Sequence, residues 1–222
     1  MTQQKLLREW HVLKYDKELI TEAKNAGQPV IVNALLQRAD SPNSNGRIYP
    51  GAILQRESQN YQKLIDQNMA YGELDHPETD PVVNLKNACL AVKEMWWDGN
   101  ELKGKVEVLH RVPAGQTLIG LMEHGMNIGI SSRGVGSTSR NETGHELVDD
   151  DYVLLCFDAV SIGSVDGAGF LSESKMKMGA SADMFEGRRP VLVENFDRRT
   201  AYPNNMGKII VVENLLDDIL GD

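Results

Sequence analysis

The chain has 222 residues, 41% hydrophobic and 25% charged, with 23 basic against 32 acidic side chains and a formal net charge of −9. That length and apolar content suit one domain with a real core plus appendages and exclude wholesale disorder, while the acidic balance argues against nucleic acid or an anionic membrane as partner. Two cysteines, Cys89 and Cys156, are too few for a disulfide framework or a structural zinc site.

No run approaches the ~20 apolar residues of a membrane helix. The opening MTQQKLLREW lacks the apolar stretch and small-residue cleavage site of a secretory leader, so none is expected. Gln3 to Asn25 is mixed in charge and reads equally as strand or helix. Pro29 to Arg38, rich in Val, Ile and Leu, predicts a strand. Turn formers around Pro42 and Asn45-Gly46 follow. After Pro50, the positions Ile53, Leu54, Tyr61, Leu64 and Ile65 fall on one helical face. The loop AYGELDHPETDP is stiffened by Pro77 and Pro81, and Asp98-Gly99 between two alternating runs predicts a β-hairpin.

Pro113 opens a helix with Leu118, Ile119, Leu121 and Met122 as its apolar face and Gly125 as its stop. Five acidic residues between Glu142 and Asp151, with no basic neighbour in the run, predict an exposed loop. Tyr152 to Ile162 is almost wholly apolar except for Asp158 and reads as a buried strand. Core-like patterning fades from Ser181 until Ile209 to Leu220. The expected organisation is an N-terminal extension (1–28), a strand-dominated α+β domain (29–180) and a C-terminal tail (181–222).

Of the five histidines, His76 stands out in Gly72-Glu73-Leu74-Asp75-His76-Pro77, a rigid loop flanked by polar residues. His124 suits a helix C-terminus, and His110 and His145 read as solvent-facing. The run Gly129-Ile130-Ser131-Ser132-Arg133-Gly134-Val135-Gly136-Ser137 gives up strand stability for small residues, as an edge strand or bulge does, or as a site that a peptide approaches closely. In the second case, amides near Arg133 and Gly134 face a developing oxyanion. Asp158 is a lone carboxylate in an apolar strand, a costly placement unless it is paired, for instance with a histidine that it orients. Together these residues supply base, nucleophile and orienting acid. On a strand Ser131 and Ser132 face opposite sides, so only one meets His76, and spacing alone leaves the choice open. A metal reading of Glu73, Asp75, His76, Glu78 and Asp80 lacks the i, i+4 histidine pair of zinc hydrolases.

Four motifs, Asn43-Ser44-Asn45-Gly46-Arg47-Ile48-Tyr49-Pro50, Gly72 to Pro77, Met95-Trp96-Trp97-Asp98-Gly99-Asn100 and Gly129 to Gly134, stand in one order over roughly residues 29–170. They resemble the prohead core protein proteases of T-even-like tailed phages. The resemblance implies a serine peptidase with a herpesvirus-assemblin-like fold, a β-barrel surrounded by helices. It matches His76 to the family's catalytic histidine, Ser131 to its nucleophile and Asp158 to the third member. Ser132, Arg133 and Gly134 are then expected at the oxyanion and substrate. No cofactor or metal is implied. The substrates would be scaffold or core proteins and the major capsid protein, cut inside the procapsid in the host cytoplasm by a homo-oligomer, without nucleic acid or membrane. A non-enzymatic capsid-assembly or scaffold protein sharing the fold is the alternative, and it should lack a triad member.

The resemblance further implies cleavage after glutamate in a Leu/Ile-x-Glu context. Five such positions occur, ending at Glu9, Glu22, Glu123, Glu173 and Glu194. Self-processing is expected at Glu173 and Glu194 near the tail, with Glu9 and Glu22 as further candidates. Residues 51–180 carry most of the negative charge, net −8. Accepting a glutamate there requires local positive charge, for which Arg133 and Arg140 are nearest in sequence.

Overall fold

The computed structural model describes residues 4–77 and 81–161. The ambiguous first stretch resolves into a strand, β1 (Lys5–Val12), and a helix, α1 (Lys17–Asn25). Asp16 starts the helix, its carboxylate accepting from the N–H groups of Glu18 and Leu19. β2 (Val30–Arg38) buries Val30, Val32, Ala34 and Leu36, and an irregularity between Leu35 and Gln37 shifts its register. After β3 (Arg47–Ile48) comes α2 (Gly51–Asp66), which buries all five apolar positions of its expected face. β4 (Tyr71–Glu73) leads into the His76 loop.

β5 (Ala88–Asp98) and β6 (Glu101–Val108) form the expected hairpin, with Gly99 at φ 60° in the turn. In α3 (Pro113–Glu123) Leu118, Ile119 and Met122 are buried, whereas Leu121 faces outward. Gly125 follows it in the left-handed conformation that ends a helix. β7 (Ile128–Gly136), β8 (Thr138–Arg140), β9 (Glu146–Val148) and β10 (Val153–Ser161) complete the described chain.

The strands form three sheets, ordered β1-β7-β10, β2-β6-β5-β4 and β3-β9-β8. A parallel bridge from Leu74 to Ala159 links the end of β4 to β10. The result is a mixed α/β fold built mainly on antiparallel pairs, with no sheet among the described residues closing into a barrel. No described helix is long and apolar enough to cross a membrane.

Three expectations change in detail. Residues 1–28, expected as an extension, contribute β1 to the sheet of Ser131, with Leu7 fully buried. The Gly129–Ser137 run is not an edge: β7 is the central strand and every residue in it is buried. Its glycines answer to packing, because a Cβ on Gly134 would collide with the Tyr152 ring and one on Gly136 would press on the Tyr152 backbone. The acidic stretch supplies the turn and second strand of the β8–β9 hairpin, and its charged partners are distant in sequence. Glu146 pairs with Lys5 and Arg47, Asp150 with Arg56, and Asp149 accepts from Ser137 and Ser139. The proposed tail (181–222) lies outside the described residues.

Candidate active site

The pairing of β7 with β10 sets Ser131 directly opposite Asp158, so the two side chains share one face of the sheet. Arg133 stands two residues on, opposite Cys156, and joins that face by strand alternation. Ser132 turns the other way, its hydroxyl donating at 3.5 Å to the Glu9 carbonyl.

His76 reaches this face from the loop after β4. Three features hold the loop against β10. Gly72 lies so close to the Phe157 carbonyl that no Cβ fits there. The Asp75 N–H donates to the Ala159 carbonyl at 2.7 Å, and the Asp75 carboxylate accepts from the Ser161 N–H at 3.2 Å. Asp75 itself takes φ 62°, the left-handed turn that brings the next residue over the sheet.

His76 Nδ1 lies 2.6 Å from Asp158 Oδ2, and Nε2 lies 2.7 Å from Ser131 Oγ. An ionised carboxylate can only accept, so Nδ1 carries the proton toward Asp158 and neutral Nε2 is left to accept from the serine hydroxyl. Asp158 is fully buried, and Glu73 and Arg133 make three further contacts to it. The Glu73 N–H donates to its Oδ1 at 2.8 Å, and Arg133 approaches with Nε 3.0 Å from Oδ2 and Nη2 3.3 Å from Oδ1. Burial pushes this carboxyl up, but the His76 hydrogen bond and the Arg133 charge outweigh it and hold the group below the ordinary carboxylate range.

Arg133 is itself fully buried, and Nη2 also donates to Glu73 Oε1 at 3.2 Å. Glu73 accepts in addition from the Asn84 N–H at 2.6 Å and from Asn87. The centre is thus a buried cluster of one guanidinium between two carboxylates. The Cys156 thiol is pushed well up by burial and by Asp158, so it stays protonated and acts as a weak donor to that carboxylate.

The structure therefore brings His76, Ser131 and Asp158 into one hydrogen-bonded line. It places the Arg133 side chain behind Asp158, while Arg140 is exposed on β8. β7 pairs on both sides through Ser132, Arg133 and Gly134, with β1 on one edge and β10 on the other. In this state their amides lie within the sheet. Of the acidic loop residues read as a metal alternative, Glu73 and Asp75 are occupied as above, and Glu78 and Asp80 lie outside the described residues. Glu73 was missed as a partner of Asp158 and Arg133. Its only sequence signal was a carboxylate on the strand side of the His76 loop.

Three comparisons bear on this geometry. A curated relative, the prohead core protein protease of Enterobacteria phage T4, is 30% identical over 125 residues, which is 55% of this chain. The match spans 58% of that protein's length. The solved structure of the bacteriophage T4 capsid assembly protease aligns with a TM-score of 0.61 over 72% of this chain and 99% of that one. At 24% identity, that likeness supports the fold. The family model of the prohead core protein serine proteases matches residues 17–175, a span that holds the His76 loop, the Ser131 strand and the Asp158 strand. By that match the chain belongs to the prohead core protein serine protease family.

Proposed function

We propose that this chain is a serine endopeptidase of phage prohead maturation, cutting scaffold or core proteins and the major capsid protein within the procapsid. The observation that carries the reading is the line from Asp158 through His76 to Ser131, with 2.6 Å and 2.7 Å contacts on the two nitrogens of one imidazole. Nucleophile, base and orienting acid need that arrangement, whatever the fold.

In the proposed reaction Ser131 Oγ attacks the scissile carbonyl carbon while its proton passes to His76 Nε2. Asp158, held ionised by Arg133 and the Glu73 N–H, stabilises the imidazolium that forms. The imidazolium then protonates the departing amine, leaving an ester between Ser131 and the acyl half of the substrate. Water, deprotonated by His76, opens that ester and the proton returns to Oγ. Amides of Ser132, Arg133 and Gly134 are the candidates for the oxyanion, a contribution of about 3 kcal/mol per donor. They become available only if a neighbouring strand moves. The barrel implied by the family resemblance is supported by the Leu74–Ala159 bridge, which carries one sheet into the next.

Cleavage after glutamate in a Leu/Ile-x-Glu context belongs to the same proposal, as does self-processing. Glu22 is exposed on α1, Glu123 is half-buried at the end of α3 and Glu9 is buried in β1. Glu173 and Glu194 lie outside the described residues. Purified Ser131→Ala is expected to stay folded, to lose scaffold cleavage and to keep its full mass where the active chain is trimmed. Cleavage lost in Ser132→Ala and retained in Ser131→Ala would move the nucleophile by one residue. Cleavage retained in both would exclude a serine mechanism.

A further inference from the structure

β10, the terminal strand of the β1-β7-β10 sheet, carries Asp158 beyond a one-residue irregularity in its register. Val153 and Leu154 stand opposite Val135 and Gly134, whereas Cys156, Phe157 and Asp158 stand opposite Arg133, Ser132 and Ser131. Leu155 is passed over, and it is only half-buried between two buried neighbours. Continued straight from Leu154, the ladder would set Phe157 opposite Ser131 and Asp158 opposite Ile130. Asp158 would then point to the other face of the sheet. Its carboxylate meets His76 only because one residue is absorbed in a bulge upstream of it.

Two side chains of α2 hold that bulge, and neither belongs to the Asp158–His76–Ser131 line. Glu57 is fully buried, and its Oε2 accepts from the Leu154 N–H at 3.2 Å. Its Oε1 accepts from Arg56 Nε at 2.9 Å and from Asn60 Nδ2 at 3.3 Å. Arg56 Nη2 donates in turn to the carbonyls of Asp150 and Tyr152 at 2.8 and 3.1 Å, and its Nη1 pairs with the Asp150 carboxylate. The main chain is thus gripped ahead of Leu155. Past Asp158, the Ala159 carbonyl and the Ser161 N–H are tied to Asp75, so the extra residue lies between two fixed ends. β7 leaves room at the same level, where a Cβ on Gly134 would stand 2.6 Å from the Val153 carbonyl. From β5, Trp97 Nε1 donates to Ser58 Oγ at 3.2 Å and anchors the helix beside Glu57, which gives the Met95–Asn100 motif a place in the arrangement. A buried carboxylate is costly unless its partners are fixed, and here one partner is a main-chain N–H at the irregular point of a strand.

We propose that Glu57, with Arg56 beside it, is a positioning residue for the peptidase reaction: from α2 it fixes the β10 bulge at Leu155 and thereby the register that puts Asp158 opposite Ser131. Without the Glu57 acceptor the Leu154 N–H loses this bond, and the preference for a bulge at Leu155 over neighbouring positions falls. A bulge displaced past Asp158 turns that carboxylate away from His76. This inference rests on the protease reading above, and the two fail differently.

Glu57→Met keeps an apolar stem of similar length and removes the acceptor. In the full chain, on one peptide substrate, it should lower kcat at least about tenfold with KM within about threefold, because the base loses its orienting acid while the substrate contacts stay. Unchanged kcat overturns the proposal. The low-field proton resonance of His76 Nδ1 in Ser131→Ala, which reports its bond to Asp158, should be lost when Glu57→Met is added, and an unchanged resonance also overturns it. Deleting Leu155 from Glu57→Met takes out the residue that the bulge absorbs, so a straight ladder sets Asp158 opposite Ser131 without help from α2. That chain should recover kcat at least about threefold, whereas a merely structural role for Glu57 makes the deletion add to the damage. Arg56→Met, at the exposed arm of the clamp, is the milder variant and should lower kcat at least about threefold at unchanged KM. Unchanged kcat there overturns the proposal even where Glu57→Met does not fold. Failure of the protease reading looks different, as scaffold cleavage that survives Ser131→Ala.

Discussion

The two faces of β7 bury polar groups in contrasting ways. On one face, Ser131 and Arg133 meet Asp158, Glu73 and His76, and each charge there has an opposite charge or a strong donor within 3.3 Å. On the other, Ser132 sits behind Glu9, whose carboxyl has amide donors and an arginine nearby but keeps a strongly raised pKa. The comparison shows that burial alone does not set the state of a carboxyl. Asp158 and Glu9 are both buried, yet the first is pulled below its ordinary range and the second pushed above it, because only the first is in direct contact with a guanidinium and a histidine. The first face holds a carboxylate in direct contact with a guanidinium and a histidine, the second a buried carboxyl met by amide donors.

The largest expected effect separates the two serines. Ser131→Ala should reduce peptide cleavage by at least about 10⁴-fold, while Ser132→Ala should stay within about tenfold of the parent, as read by kcat/KM on one fluorogenic peptide. Equal losses would erase the distinction between the faces.

Next comes Asp158→Asn, expected to lower kcat by about 10³- to 10⁴-fold because an amide donating toward His76 favours the wrong tautomer. A loss no larger than that of Ser132→Ala would remove Asp158 from the line.

Arg133→Met should cost about 3–5 kcal/mol in denaturant unfolding, since it leaves Glu73 and Asp158 buried together without their cation. A near-neutral result would mean that the cluster is held by hydrogen bonds alone. The double variant Arg133→Met with Glu73→Gln should recover part of the loss.

An effect no larger than that of Arg133→Met concerns the other face and reads out in pH. The raised Glu9 pKa means that the folded chain keeps its proton where the unfolded chain has lost it. Stability from this group is therefore full below the ordinary carboxylate pKa of 4.5, falls as pH rises toward about 8 and levels off above that. Relative to Glu9→Gln, the parent should lose Tm steadily between pH 5 and 8, by about ten degrees. A pH-independent difference would show that Glu9 is ionised in its buried position throughout.

Much of this was legible along the chain because it depended on local chemistry. The Asp98-Gly99 hairpin, the Pro113 helix start and the apolar face of α2 follow from turn geometry and periodicity, which neighbours in sequence determine. His76, Ser131 and Asp158 stood out because each sits in a setting that costs stability. Leu121 misled because apolar content on a short helix does not say which residue the core has room for. The Gly129–Ser137 run read as a possible edge because its glycines signal close approach without naming the neighbour, which is Tyr152. The Arg133 side chain, expected at the substrate, is drawn behind Asp158 by two carboxylates from β4 and β10, strands far from it in sequence.

The sequence by itself determined the inventory: a lone carboxylate in an apolar strand, a histidine in a proline-stiffened loop, two serines among glycines and a Leu-x-Glu segment at the start. Only the tertiary structure decided which serine faces the histidine, which charges share a cavity and which strand lies along the edge of β7. Those outcomes depend on strand order and register, where a shift of one residue would swap Ser131 for Ser132 on the face that meets His76.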